Sequence, residues 1–553
     1  MKTKLFKTVS LVCGVGMAFS ALSFTACREE KVSNDDNTLE VYLWDAGYGT
    51  AWLDDMLEDF GKLDYVKEKY PNYQYHTTYN DDQGFSANRI GMGETNTIDL
   101  FFGCELDQIL GDDSKLVELS DLLEQNVLGE EDVTVKEKMR GDVLEFLEWR
   151  ALDDDESVDP KYYSIPWSMS TGTIVYNETL FSALGLTVPH TTDEMLALME
   201  KVKQLNGTNS AYPYSHTLIS SKVSYAGYMF LDWWAQYEGE EGYTNFFEAI
   251  NYKGVRNSPD VLKQTGRLES MRVFEKMDKS TAGYFDPTSI EFDFIAGQGR
   301  LLMGQGLMMM NGDWFNCEMS ELADEYRSRG YDYVIGAMRT PVISAIVNKT
   351  PSVVATATAQ GKTNDQILSM IISEIDNGAT SSAIQGVTQA DFDIIRAARG
   401  AIYSGGVSSQ TVVPAYATAK NLALDFLRYF ASDRANEIYT VKTMGGRLGF
   451  KYDLKTANPA KYNEVKTDPN FKVQLDVSNY LAESHSWILP LESNFRFVRY
   501  GGFSSMSGFG NIEVQFMNNS ELTAEDMINK LYDYWTANNN ARWNLALQNA
   551  GMV

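Results

Sequence analysis

Cysteine, histidine and positive charge are all scarce in this 553-residue chain, and each scarcity removes a class of function. Of four cysteines, Cys13 and Cys27 fall at the N-terminus, leaving Cys104 and Cys317 for the body, so there is no disulfide framework and no CxxC pair. Cys104 ends an apolar run and Cys317 lies in an aromatic stretch, which predicts two unpaired, buried thiols. The four histidines, His76, His190, His216 and His485, stand singly, and neither an HExxH nor a GxSxG motif occurs. Basic residues number 47 against 76 acidic ones, a formal charge of −29 that repels phosphate backbones and excludes nucleic acid as a partner. With so many acids a pair of carboxylates suited to glycoside hydrolysis can be drawn anywhere, so their number argues for no particular reaction.

Two near-motifs fail on one residue each. Gly47-Tyr-Gly49-Thr-Ala-Trp52 follows a strand as a dinucleotide fingerprint does, but Trp52 stands where the third glycine belongs. Asp153-x-Asp155-x-Ser157-x-Asp159 alternates oxygen ligands like a calcium loop, yet Val158 replaces the glycine of the sharp turn. Neither a cofactor nor a metal is expected.

What is present begins at the N-terminus, where Lys2, Lys4 and Lys7 precede an apolar run from Val9 to Phe24 and the small residues Thr25 and Ala26. That is a secretory leader. Its end, Phe24-Thr25-Ala26-Cys27, resembles a bacterial lipobox with Phe24 in the usual aliphatic place, which implies a lipidated Cys27 and attachment to the outer face of a cell membrane. Residues 1–27 are therefore read as a lipoprotein signal peptide and the polar residues 28–38 as a tether. No later apolar stretch reaches the length needed to span a bilayer.

Along the body, Leu39 to Trp44 alternates as a strand, and Trp52, Met56 and Phe60 recur at helical spacing behind it. Strands are also expected at Tyr73 to Tyr79 and Asp99 to Gly103, with helical sequence between, so the first unit reads as α/β with a largely parallel sheet. Pro166 and Gly172 mark a crossover into a second unit, where Thr191-x-x-Glu194 caps a helix and Leu307 to Asn311 forms a strand.

Several segments, in this order, resemble the family 1 extracellular solute-binding proteins, the group that includes sugar-binding components of ABC importers. They are the leading strand and loop, IDLFFG, YSIPWSMSTGTIVYNETLFSALGL with the capped helix after it, GQGLMMMNGDW, IGAMRTPVISAI, and NLALDFLRYFASDRANEIY with TMGGRLGF. The resemblance implies a two-lobed periplasmic-binding-protein-like fold of type II, each lobe a mostly parallel sheet flanked by helices and joined by hinge strands. Lobe one is assigned residues 39–166 plus 345–440, and lobe two residues 167–344 plus 441–553. It also implies a monomer without catalytic residues that binds a carbohydrate between the lobes and delivers it to permease subunits. A surface glycan-binding lipoprotein without a transporter and a secreted glycoside hydrolase are the alternatives.

A sugar presents hydroxyls, which need directional partners, and C–H patches, which pack on flat rings, so its site needs aromatics beside acids and amides. Ligands of α/β lobes sit at the carboxyl ends of strands. On that basis Trp44, Asp45, Tyr48 and Glu105 are the candidates on lobe one, Trp167, Asp313 and Trp314 those of the crossover and lobe two, and Tyr416 that of the later loops. Trp233, Trp234, Trp487 and Arg447 are weaker candidates, better explained by packing.

Overall fold

The alternation in Leu39 to Trp44 produces an interior strand of the first sheet, and the spacing behind it produces a helix, Ala51–Phe60, that buries Trp52, Leu53, Met56, Leu57 and Phe60. Each such side chain contributes about 1.5–3 kcal/mol of transfer free energy, which is why the helix stays on the sheet. The computed structural model describes residues 37–130, 132–151, 157–205, 225–405 and 409–553, with 216–218 as backbone alone. The leader with Cys27, the tether as far as residue 36 and the Asp153-Asp155 loop lie outside the described residues.

In chain order the strands are β1 (Thr38–Trp44), β2 (Gln74–Asn80), β3 (Leu100–Cys104), β4 (Ile165–Pro166), β5 (Gly172–Asn177), β6 (His216–Leu218), β7 (Gly306–Gly312), β8 (Ile335–Met338), β9 (Ala401–Ile402), β10 (Ser409–Val412) and β11 (Trp487–Ile488). The first sheet has the order β2-β1-β3-β10-β4, the second β6-β7-β5-β8, and β11 pairs with β9. Parallel pairing holds for β2-β1-β3, whereas β10 is antiparallel to both its neighbours. In the second sheet β5 runs antiparallel to β7 and β8, so that sheet is mixed where a mostly parallel one was expected. The reason is topological: β5 leaves the crossover directly, and the strands beside it return towards the crossover.

Each sheet has its own apolar core. Trp52, Phe60, Phe102, Phe426 and Phe430 belong to the first, and Ile174, Met308, Met310, Trp233 and Trp234 to the second. Residues 345–400, assigned from sequence to lobe one, are a correction: Ile346, Val353, Ile367, Ile371, Phe392 and Ile395 all join the second core. Helices Asn364–Asp376 and Gln389–Gly400 each carry one apolar face, and both are satisfied on lobe two. Conversely Leu448 and Phe450, assigned to lobe two, pack with the first core.

The chain therefore passes from lobe one to lobe two at 166–172, comes back between Ile402 and Ser409, and leaves again through 444–452, where Met444 and Tyr452 pack with Leu454 while Leu448 and Phe450 stay on the first core. These crossings lie side by side: Thr171 bridges Ser404, and the Met169 amide donates to the Arg447 carbonyl at 2.9 Å. Cys104 and Cys317 are both free, and among the described residues no helix is long and apolar enough to cross a membrane.

Candidate functional site

Register fixes which strand ends face the crossings. Ser409, emerging from a crossing, pairs with Cys104 at the end of β3, and Gly172, leaving another, pairs with Gly312 at the end of β7. The loops after β1, β3 and β7 thus converge between the lobes. Gly47 of the first lobe and Trp314 of the second meet there: a Cβ on Gly47 would fall 2.9 Å from the indole, so only glycine lets the ring lie against that loop.

Beside the crossings lies a buried polar knot. The Tyr48 hydroxyl donates to Asp313 Oδ1 at 2.7 Å, the Thr171 amide donates to the same oxygen at 3.1 Å, and Arg447 Nη2 donates to Oδ2 at 2.9 Å. Arg447 Nη2 also donates to Thr171 Oγ1 at 3.1 Å, and its Nη1 donates to Ser478 Oγ at 3.2 Å. Burial drives the Asp313 carboxyl up and the Arg447 guanidinium down, and the pairing of the two opposes both shifts. The Tyr48 hydroxyl and both carboxylate oxygens of Asp313 are engaged within the protein, so both side chains belong to the joint between the lobes.

Further out, the strand ends carry a different set of residues. Trp44 is half-buried at the end of β1, donating its indole N–H to the Asp81 carbonyl at 3.3 Å and standing edge-on to Trp167 at 6.3 Å. Asp45, Asp81, Asp82 and Glu105 are exposed at the ends of β1, β2 and β3, and among the described residues no lysine or arginine pairs with them. Burial and then the charge of Asp81 raise the Asp45 carboxyl above its ordinary value. Burial, with Glu105 and Asp82, pushes the Cys104 thiol up to about 12, which makes it inert at neutral pH. Glu105 holds φ 55°, a left-handed conformation that costs an ordinary residue roughly 1–2 kcal/mol.

From lobe two come stacked rings. Trp314, half-buried and packed against both cores, lies 5.8 Å from Tyr225 and 6.1 Å from Tyr228, and Tyr228 stacks on Tyr403 at 4.9 Å with 14° between the rings. Tyr403 is held in turn by Asp232, whose carboxylate accepts from the Tyr403 amide at 2.6 Å and from the Thr340 hydroxyl at 2.8 Å. Burial raises Asp232 to about 7. A second bridge between the lobes forms where the Tyr500 hydroxyl donates to the Arg150 carbonyl at 3.0 Å.

The structure thus brings Trp44, Asp45, Glu105 and Trp314 to one interlobe region, with Tyr48 and Asp313 in the adjoining knot. Trp167 is a correction, being 1% exposed, stacked on Trp52 at 5.9 Å and donating to the Gly103 carbonyl at 2.8 Å. Its amide extends the pairing of β4 with β10 by donating to the Ser409 carbonyl at 2.9 Å, and that turns the ring onto the first core. Tyr416 is another: β10 is antiparallel, so the residues after it reach the opposite end of β3, where the Tyr416 hydroxyl accepts from Asn96 at 2.6 Å. Trp233, Trp234 and Trp487 donate to Pro341, Gln264 and Ala397 respectively, as packing residues do. Sequence reading missed Tyr225, Tyr228 and Tyr403, because in a chain with 31 tyrosines nothing local marks the three that meet.

No family model matches the chain. A multiple sugar-binding protein of Streptococcus mutans is 42% identical over 50 residues, a stretch covering 9% of this chain and only 12% of that protein. Solved structures match over nearly the whole length. The binding protein RafE in complex with raffinose superposes with a TM-score of 0.54 at 14% identity, covering 92% of this chain and 99% of that one. A chitin oligosaccharide binding protein gives 0.54 at 15%, covering 93% and 99%. The GacH receptor of Streptomyces glaucescens gives 0.53 at 12%, covering 90% and 97%. The fold of this chain is that of these binding proteins: the two-lobed, type II periplasmic-binding-protein architecture.

Proposed function

We propose that the chain binds an uncharged oligosaccharide between its lobes, without altering it, and passes it to the permease of an ABC importer. The observation that carries the reading is the meeting of the loop that follows Trp44 with Trp314 of the second lobe at Gly47, with Tyr228 beside Trp314 and exposed carboxylates at the ends of β1, β2 and β3. Flat rings accept the C–H faces of sugars while carboxylates accept from hydroxyls. Four exposed acids without paired cations repel an anionic ligand, which argues against uronates and phosphorylated sugars. The sugars named for the neighbouring structures, raffinose and chitin oligosaccharide, support the same ligand class.

The test is calorimetry and thermal melting of the purified body with raffinose, maltotriose and chitin trisaccharide. One of these neutral sugars raises the melting temperature in proportion to the logarithm of its concentration, as ligands specific to the folded state do. Absence of any shift across a broad neutral panel, or appearance of cleaved sugar, defeats the reading. The same proposal places the protein on the outer face of the cell membrane through acylated Cys27. Cys27→Ser then moves it from the membrane to the soluble fraction, and pull-down of the body with detergent-solubilised membranes recovers two permease subunits.

A further inference from the structure

Tyr48 belongs to lobe one by its ring and to lobe two by its hydroxyl. The ring is 5% exposed within the first core, 6.2 Å from that of Tyr439, in the loop between β1 and the helix Ala51–Phe60. The hydroxyl reaches Asp313, 1% exposed at the end of β7. That carboxylate is independently anchored to two of the crossings, by the Thr171 amide and by Arg447. One hydrogen bond therefore joins the core of one lobe to a rigid carboxylate of the other. Separation of the lobes draws the β1 loop from β7, and the bond is lost while the contacts of Asp313 with Thr171 and Arg447, made by the crossings, remain.

We propose that Tyr48 is a positioning residue for lobe closure: its hydrogen bond to Asp313 sets the share of ligand-free protein in the closed arrangement, and Tyr48 does not touch ligand. A hydrogen bond to a charged acceptor is worth enough to shift the closed-to-open ratio about tenfold or more. Because apparent affinity scales with the population able to bind in the closed form, losing the bond weakens binding by up to that same factor. The consequence for affinity rests on the binding function proposed above, but the consequence for closure does not.

The experiment is small-angle scattering of the ligand-free protein and of Tyr48→Phe, with circular dichroism to confirm the fold. Tyr48→Phe keeps the ring and its packing, so a folded variant with a larger radius of gyration is expected. A second variant, Asp313→Asn, keeps a carbonyl to accept from Tyr48 while removing the charge opposite Arg447. It is expected to melt at a lower temperature with the scattering curve unchanged. An unchanged radius of gyration in Tyr48→Phe overturns the proposal, as does Asp313→Asn opening as far as Tyr48→Phe, which would assign closure to the ion pair. Raffinose titration supplies the affinity arm: raffinose binding to the parent about tenfold more tightly than to Tyr48→Phe supports the coupling. Equal affinity overturns it, whereas a failure of raffinose to bind the parent bears on the function and leaves the scattering result standing.

Discussion

Two groups of polar and aromatic residues occupy the same strand ends, and they differ in how their hydrogen-bonding capacity is satisfied. In the knot of Tyr48, Asp313, Thr171 and Arg447 the partners are other protein groups and almost nothing is exposed. Around Trp44, Asp45, Glu105 and Trp314 the rings are half-buried and the carboxylates open. A strand-end position brings a residue to the interlobe region. Whether it faces a ligand or holds the lobes together depends on whether the protein already engages its polar atoms. Desolvating a group with no replacement partner costs several kcal/mol, so the knot engages most of its polar atoms within the protein, Arg447 Nε excepted, while the open set can wait for a ligand.

The sharpest way to break this contrast is within the knot. Asp313→Ala leaves the Arg447 guanidinium buried without its counter-charge, a change expected to cost about 3–5 kcal/mol in urea unfolding. Asp232 comes next. It is protonated in the folded state up to about pH 7, but in the unfolded chain only up to the ordinary 3.8, so the folded form binds the extra proton between those values. Stability therefore falls as pH rises across that window, by up to about 1.4 kcal/mol per pH unit, and levels off above it. Urea midpoints from pH 4 to 8 measure the slope, which Asp232→Asn flattens.

In the open set, Trp314→Ala is expected to weaken sugar binding by about 2 kcal/mol, roughly thirtyfold by calorimetry. A fall in melting temperature at constant affinity would return Trp314 to the knot side of the comparison. The smallest effect belongs to Tyr416→Phe, which loses one hydrogen bond with Asn96 at the far end of the first sheet. It is expected to cost about 0.5–1.5 kcal/mol of stability and to leave binding untouched.

Much of the site was legible because strand alternation and the turn after each strand are local. β1 and β3 end near where the periodicity stops, and that puts Trp44, Asp45 and Glu105 at strand ends, as the structure has them. The same reasoning placed Trp314 and Asp313 after β7. It failed at Tyr416, where position after a strand was read without the strand's direction, and at Trp167, where an aromatic near a crossover proved to be core. Tyr228 and Tyr403 lay beyond reach for a related reason. One sits early in the helix Ala226–Phe247 and the other directly follows β9, and only the stacking of lobe two against a crossing makes them neighbours.

By itself the sequence determined the acidic charge balance, the amphipathic helices and the alternating strands, since each depends on composition or on residues a few positions apart. Tertiary structure alone decided which core each apolar face would join, as residues 345–400 demonstrate by packing on the second lobe. An apolar face is non-directional: it specifies that it must be covered and leaves the partner to be chosen by the shape and volume of what the rest of the chain presents.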